Sequence, residues 1–463
     1  MADNHGWITR RQFGVAMCGA PLAWPAAGAA EEMEWDRPAA VAKLYLAAPR
    51  VHWPKPDLNL QADIAEVDGR LKEVERRNAR YVRFTGGDLI RADAEVGPWL
   101  ARLGGVDGVL IVPLTAPLAA LNTVVNGLKV PALYFSRPYA GHSWSSVADL
   151  RKSGKKIDVI ATSNYGDLDD YMKMFRTARH LGKSRVLVVG NNREKLAQSF
   201  TEQFGTGMTF LTYGDLKTAY AAADGRAAQR EADEFTRGAL RVVEPKPEEI
   251  TGALRFYLGI QALLKREKAN AITVDCFGGL LSNQMPAYPC VAWSKLNDQG
   301  CYGVCEGDLQ STMTQMLVTS YSGMPGFVSD PVFDLSRNEV IHAHCVAATK
   351  MKGVDGPGSP YILRNHLETA EGTVMQVLMP TGETVTMGRF VGPRKFFVST
   401  AEVTGTVNSD RGCRTQIRTR VENAEKMLQG YTAGLHRVIF YGDHVRAVER
   451  MGRLMGFEVV NEG

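Results

Sequence analysis

Short apolar runs alternate with stretches of helical spacing along most of this chain, which predicts a layered α/β protein. Between about 38 and 155 the strand candidates are 41–47, 81–84, 108–113 and 132–135, and 60–80 carries a helical pattern. Such alternation argues a parallel sheet covered by helices. A second unit begins near Asp158, with strands at 158–162, 185–189 and 271–275 and helices at 168–180 and 247–268. Gly190 stands without a dinucleotide fingerprint around it, so this layer reads as Rossmann-like but cofactor-free. After the GVDGPG stretch at 353–358 the pattern turns β-rich, with runs at 374–379, 384–388, 396–400 and 415–420 that suggest an antiparallel sheet or small barrel. A closing tail reads helix 422–431, strand 436–441, helix 444–455, strand 457–460. The expected fold is therefore two Rossmann-like α/β domains (38–155 and 156–350) followed by a β-rich C-terminal domain (351–463) with a terminal αβ tail.

Composition narrows the class. Hydrophobic residues make up 45% and charged residues 22% of the 463, as in ordinary globular proteins. The net charge of +4 comes without a dominant basic run, which argues against a nucleic-acid partner. No segment of the mature chain has the length and apolarity of a membrane span. The seven cysteines lack the paired spacing of a zinc ribbon. Near the start, Thr9-Arg10-Arg11-Gln12-Phe13 precedes a weakly apolar run and the small residues Ala27-Gly28-Ala29. Residues 1–30 resemble a twin-arginine export signal, which implies a periplasmic protein. Without that signal the expectation is cytoplasmic.

The chemistry concentrates around Glu306 and Asp330. The apolar stretch 301–305 reads as a short strand closed by Glu306, and the helical segment 309–322 separates it from a strand at 326–329 that ends at Asp330. A strand–helix–strand unit places parallel strands side by side, and ligands bind beyond their carboxyl ends. Two carboxylates gathered there need a shared proton or a cation to offset their repulsion. Segments 331–334 and 340–344 flank a turn near Arg337. As a hairpin they would set position 330 against about position 344 and bring His344 beside Asp330. A one-residue slip would present the other face and give the role to His342. Carboxylates with imidazole suit a divalent transition metal.

An ordered set of fragments then resembles the L-fucose/L-arabinose isomerase family. The fragments are Ser294-Lys295-Leu296-Asn297-Asp298, Cys305-Glu306-Gly307-Asp308, Ser322-Gly323-Met324-Pro325-Gly326 before Asp330, and His344-Cys345. Gly412-Cys413-Arg414-Thr415, Gly434-Leu435-His436-Arg437 and Tyr441-Gly442-Asp443 follow. Together they span roughly 265–460. The resemblance implies an aldose–ketose isomerase that uses a divalent metal, usually Mn²⁺, held by positions matching Glu306, Asp330 and His436. Its arabinose branch adds a histidine matching His344, whereas Asp330 is closer to the fucose branch. The resemblance also implies a homo-oligomer, trimer or hexamer, in which the loop bearing His142 and Trp144 reaches a sugar in a neighbouring subunit.

On this reading Glu306 and Asp330 shuttle a proton between C1 and C2 of an open-chain pentose, deoxyhexose or related sugar through an enediolate. A positioned acid–base group contributes roughly 10²–10⁴-fold. Two other readings share the scaffold. One is an exported, noncatalytic sugar-binding protein; the other is an epimerase or aldolase that uses the same enediolate.

Overall fold

The computed structural model describes residues 33–462 apart from 117, 119, 191 and 192. The twin-arginine reading of residues 1–30 falls outside this range. The chain is a mixed α/β protein with two parallel sheets and a β-rich C-terminal region.

The first sheet contains β1 (Ala39–Leu46), β2 (Val82–Ile90), β3 (Gly108–Pro113), β4 (Ala132–Ser136) and β5 (Ile157–Ala161), in the order β2-β1-β3-β4-β5. Its pairs are all parallel. β3 reads Gly-Val-Leu-Ile-Val-Pro and is buried at every position, as expected of a strand covered on both faces. The second sheet contains β6 (Arg185–Val189), β7 (Gly207–Leu211), β8 (Ala271–Val274) and β9 (Tyr302–Val304), ordered β7-β6-β8-β9 and again parallel. The boundary expected at 155–156 moves: β5 pairs with β4 and closes the first sheet, so the second begins only with β6.

The C-terminal region is a closed barrel of six strands. These are β10 (Phe327–Asp334) and β11 (Glu339–His344), then, after a separate hairpin of β12 (Tyr361–Arg364) and β13 (Val374–Val377), β14 (Thr384–Phe390), β15 (Lys395–Thr406), β16 (Thr415–Val421) and β17 (Arg437–Tyr441). Their order is β14-β17-β10-β11-β16-β15, and β15 returns to β14. Closure leaves no free edge among these six. A last strand, β18 (Glu458–Asn461), runs parallel beside the first half of β15.

Two sequence expectations are corrected here. Residues 301–305 and 326–329 are not neighbouring parallel strands. β9 ends the second parallel sheet, whereas β10 pairs antiparallel with β17 and β11 in the barrel. The hairpin thus belongs to the C-terminal region, although its residues precede 350. Strand partners are chosen by packing that a local pattern does not contain. The hairpin register also differs by one: Asp330 faces Ala343, and Pro331 faces His342.

Helix Leu309–Ser322 joins the two regions. Asp308 caps it by accepting from the Gln310 and Ser311 amides at 3.0 and 3.1 Å, and left-handed Gly323 ends it. It is buried from Leu309 to Thr319 apart from Gln310, because it lies between β8 and β9 on one side and β14 and β17 on the other. Its amino end therefore sits where sheet and barrel meet. Helix Cys290–Asp298 packs so tightly on β9 that a Cβ at Gly303 would fall 2.7 Å from the Trp293 Cα. That close approach holds the strand leading into Glu306.

Candidate metal centre

Four separate segments deliver side chains to the sheet–barrel junction. Glu306 follows β9 in a turn where it and Gly307 both adopt left-handed backbone, at φ +63° and +60°. For a residue with a Cβ this conformation costs roughly 1–2 kcal/mol. The Gly307 amide donates to Val274 O at 2.8 Å and ties the turn to β8. Asp330 lies where β10 changes partner, from β17 (through Ser329↔Arg437) to β11 (from Asp330↔Ala343). His436 immediately precedes β17, and His344 is the last residue of β11, opposite Thr415.

These side chains converge. His436 Nε2 is 3.4 Å from Glu306 Oε2 and 3.3 Å from Asp330 Oδ1. His344 Nε2 is 3.7 Å from Glu306 Oε1. One ligand atom from each of Glu306, His344 and His436 lies within 4.8 Å of the others. Asp330 reaches this trio through His436. The imidazoles are 6% and 5% exposed, whereas Glu306 and Asp330 are 44% and 31% exposed. The centre thus has a buried nitrogen floor and a carboxylate rim open to solvent.

Three buried polar atoms here have no hydrogen-bond partner: His344 Nε2, His436 Nε2 and Asp330 Oδ1. Buried polar atoms are ordinarily satisfied, and an orphan costs roughly 1–3 kcal/mol. Three orphans together, beside a carboxylate, make the mixed N/O donor set that divalent transition metals take. The residues present fit such an ion.

The imidazoles are prepared differently. His436 Nδ1 lies 2.9 Å from Asp308 Oδ2, so Nδ1–H donates to the carboxylate and Nε2 is the nitrogen that faces the centre, with its lone pair free in the neutral ring. A carboxylate behind a ligating histidine fixes its tautomer and raises its basicity. Asp308 is held in turn by Arg389, whose Nη1 donates to Oδ2 at 2.7 Å and to Ser311 Oγ at 2.8 Å. At His344 the Cys345 amide donates to Nδ1 at 2.9 Å. The neutral ring therefore carries its proton on Nε2, toward Glu306, and must shift it before Nε2 can bind an ion.

Electrostatics follow the geometry. His344 and then His436 hold the Glu306 carboxyl well below the usual carboxylate range. Burial alone would push both imidazoles down. Glu306 outweighs it at His344, and Asp308, Asp330 and Glu306 outweigh it at His436, so both lie above the ordinary histidine value. Burial would raise Asp308, but His436 and Arg389 hold it far below its ordinary value.

Glu306, Asp330, His344 and His436 are thus brought together, and the other expected site residues lie elsewhere. His342 is fully buried, between Ser329 Oγ at 3.2 Å and Thr419 Oγ1 at 3.0 Å. His342 therefore does not replace His344. His142 packs against Trp53 with ring centres 5.6 Å apart and the planes tilted by 49°, and Trp144 is 47% exposed. Both lie in the segment after β4, and among the described residues neither belongs to the metal-ligand cluster. Sequence reasoning took Asp308 only as a helix cap and overlooked Arg389. The available clue was an arginine inside the apolar run Met387-Gly388-Arg389-Phe390.

No protein-family model matches this chain, and no curated protein matches it.

Proposed function

We propose that this protein is a divalent-metal-dependent aldose–ketose isomerase, similar to the L-fucose/L-arabinose isomerases, built on two Rossmann-like α/β domains and the C-terminal barrel. The observation that carries the reading is the meeting of three orphaned donor atoms, on Asp330, His344 and His436, beside the Glu306 carboxylate. Glu306, Asp330 and His436 would hold the ion, with His344 as a fourth ligand after its proton shift. When bound, the ion supplies Lewis-acid stabilisation of the charge that develops on adjacent sugar oxygens.

The chain's own residues do the rest. Glu306 and Asp330 are the exposed members of the set, so an open-chain sugar meets them first. Either carboxylate oxygen can accept a proton from the carbon beside a carbonyl and return it to the neighbouring carbon. The depressed Glu306 keeps its carboxylate ionised at neutral pH. Asp308 and Arg389 hold His436 still, and the buried floor excludes water from its nitrogen side. The substrate class is a pentose, deoxyhexose or related aldose. Export by the twin-arginine route and homo-oligomeric assembly, with His142 and Trp144 presented to a neighbour's sugar, belong to the same proposal.

A ketose-detecting screen over aldoses with added Mn²⁺, using protein lacking residues 1–30, tests the reading. Ketose formation from at least one aldose, abolished in Glu306→Gln, is the expected result. Sugar binding without conversion, unchanged in Glu306→Gln, would replace it with a noncatalytic binding protein. Cleavage of the carbon chain would point to aldol chemistry.

A further inference from the structure

The segment that delivers His436 is wrapped around a buried cation. Residues 431–436 belong to no helix or strand, so side chains rather than backbone pairing hold their course. Arg437 is fully buried, and the five N–H groups of a guanidinium are all engaged here. Nη1 donates to Gly434 O at 3.2 Å and to His436 O at 3.0 Å, and Nη2 donates to Thr432 O at 3.1 Å. Nε and Nη2 donate to the two carboxylate oxygens of Glu462, just after β18, at 2.8 and 2.6 Å. The Tyr431 ring lies 4.0 Å from the guanidinium, and its hydroxyl donates to Leu435 O at 2.6 Å. Ala433 O turns the other way and accepts from Arg389 Nε at 2.9 Å. The carbonyls of 432, 434 and 436 thus follow the Arg437 guanidinium. A bidentate carboxylate gives a guanidinium one planar orientation, and here Glu462 supplies it. Arg437 also reaches toward Asp330. It pairs with Ser329 across the β10–β17 ladder, and Ser329 Oγ donates to Arg437 O at 3.0 Å. One buried side chain therefore stands next to His436 in the chain and one pairing short of Asp330 in the sheet.

We propose that Glu462 is a positioning residue of the metal centre: by holding the Arg437 guanidinium it sets the course of residues 431–436, and with it the place of the His436 ring beside Glu306 and Asp330. The proposal rests on the metal reading above and extends it to a residue outside the four converging segments. Glu462 touches neither the ion nor the sugar; it acts through Arg437. Its carboxylate is 8% exposed and the guanidinium is not exposed at all, so water does not take over when the pair is broken. Glu462→Gln keeps the shape of the side chain but offers one acceptor oxygen where there were two. Its NH2 group then faces an N–H of Arg437, donor against donor. The guanidinium turns away from that contact, and the three carbonyls that depend on it lose their fixed donors.

Two measurements on the intact chain test this. Calorimetric titration reads Mn²⁺ affinity, which should fall about tenfold in Glu462→Gln, the lower end of what partners behind a metal ligand contribute. NMR of the metal-free protein with isotope-labelled histidine reads the ring itself. The His436 Nδ1 proton, held on Asp308 at 2.9 Å, should give a sharp low-field signal in the wild type. His436→Gln identifies that signal by its absence, and Glu462→Gln should broaden or abolish it. A Glu462→Gln protein that is less stable to denaturant yet keeps the wild-type Mn²⁺ affinity and the wild-type signal would overturn the proposal and leave only a stabilising ion pair. If Glu462→Gln does not fold, the same readings are made on the double variant Arg437→Met, Glu462→Leu, in which apolar side chains replace the buried pair. Loss of affinity and signal there supports the positioning role, and retention of both overturns it. A wild type that takes no Mn²⁺, but whose low-field signal disappears in Glu462→Gln, contradicts the metal reading and upholds the positioning of His436.

Discussion

The Asp308 carboxylate and the His436 ring are joined by a 2.9 Å hydrogen bond that decides which His436 nitrogen faces Glu306 and Asp330. Asp308 comes from the amino end of a helix and His436 from the segment before β17, 128 residues later. Their pairing makes a barrel residue answer to the geometry of the parallel sheet.

Asp308→Ala should therefore lower Mn²⁺ affinity by about 10–100-fold, the usual effect of losing a carboxylate behind a metal-bound histidine. Calorimetric titration of the metal-free protein measures it. Arg389, only 4% exposed and paired with that carboxylate, gives a companion variant. Removing one partner of a buried ion pair costs about 3–5 kcal/mol. Arg389→Ala should thus show its main loss in denaturant-induced unfolding.

The two histidines should not be equivalent. His436→Ala removes a ring whose Nδ1 proton is fixed on Asp308, so that its neutral form turns an Nε2 lone pair to the centre. His344 accepts from the Cys345 amide at Nδ1, so even its neutral ring keeps a proton on Nε2. Mn²⁺ titrations should show the greater loss of affinity in His436→Ala, with His344→Ala retaining measurable binding. The reverse order would mean that the tautomers are assigned wrongly.

Backbone conformation at Glu306 separates stability from ligation. At φ +63° a glycine is relieved of roughly 1–2 kcal/mol of steric cost. Elsewhere it would lose roughly 0.5–1 kcal/mol to chain entropy. Glu306→Gly and Glu306→Gln both remove the charge, so their difference reports the backbone. Chemical denaturation of the metal-free variants should find Glu306→Gly the more stable by about 1 kcal/mol, with metal binding lost in both.

The cluster should respond to pH in opposite senses with and without metal. Both imidazoles are raised above 6.5 in the folded protein. The stability they give the metal-free chain is complete below that value and is lost as pH climbs through their raised values. Glu306 and Asp308 are depressed below 4.5 and 3.8. Their contribution is present above those values and is lost as pH falls through the depressed ones. The metal-free cluster should therefore stabilise most between about pH 4.5 and 6.5. Mn²⁺ competes with the imidazole protons, so its affinity should rise with pH above that window. Calorimetry in buffers of different ionisation enthalpy should detect proton release on binding.

Much of this layout was legible in the chain. Unbroken apolar runs such as 108–113 and 185–189 located their strands, and the Asp308–Gly323 span gave both ends of its helix, because burial on two faces and end-capping are local signals. The path of β10 was not legible. Gly326 to Ser329 reads as a parallel strand until β17 and β11 supply its partners from 110 residues and about 10 residues downstream. The hairpin register differed by one because the turn is centred between Ser336 and Arg337, with Asp334 opposite Glu339, and not on Arg337 itself. Glu306, Asp330, His344 and His436 were marked by chemistry and resemblance. The Asp308–Arg389 support was hidden, since it joins residues that only the tertiary fold brings together.

The most direct test of the central claim is electron paramagnetic resonance of Mn²⁺ titrated into the metal-free protein, beside Glu306→Gln and His436→Ala. One tightly bound ion with nitrogen coupling in the wild type, and only free aqueous Mn²⁺ in both variants, is the predicted result. A wild type that leaves Mn²⁺ free, or variants that bind it as the wild type does, would contradict it.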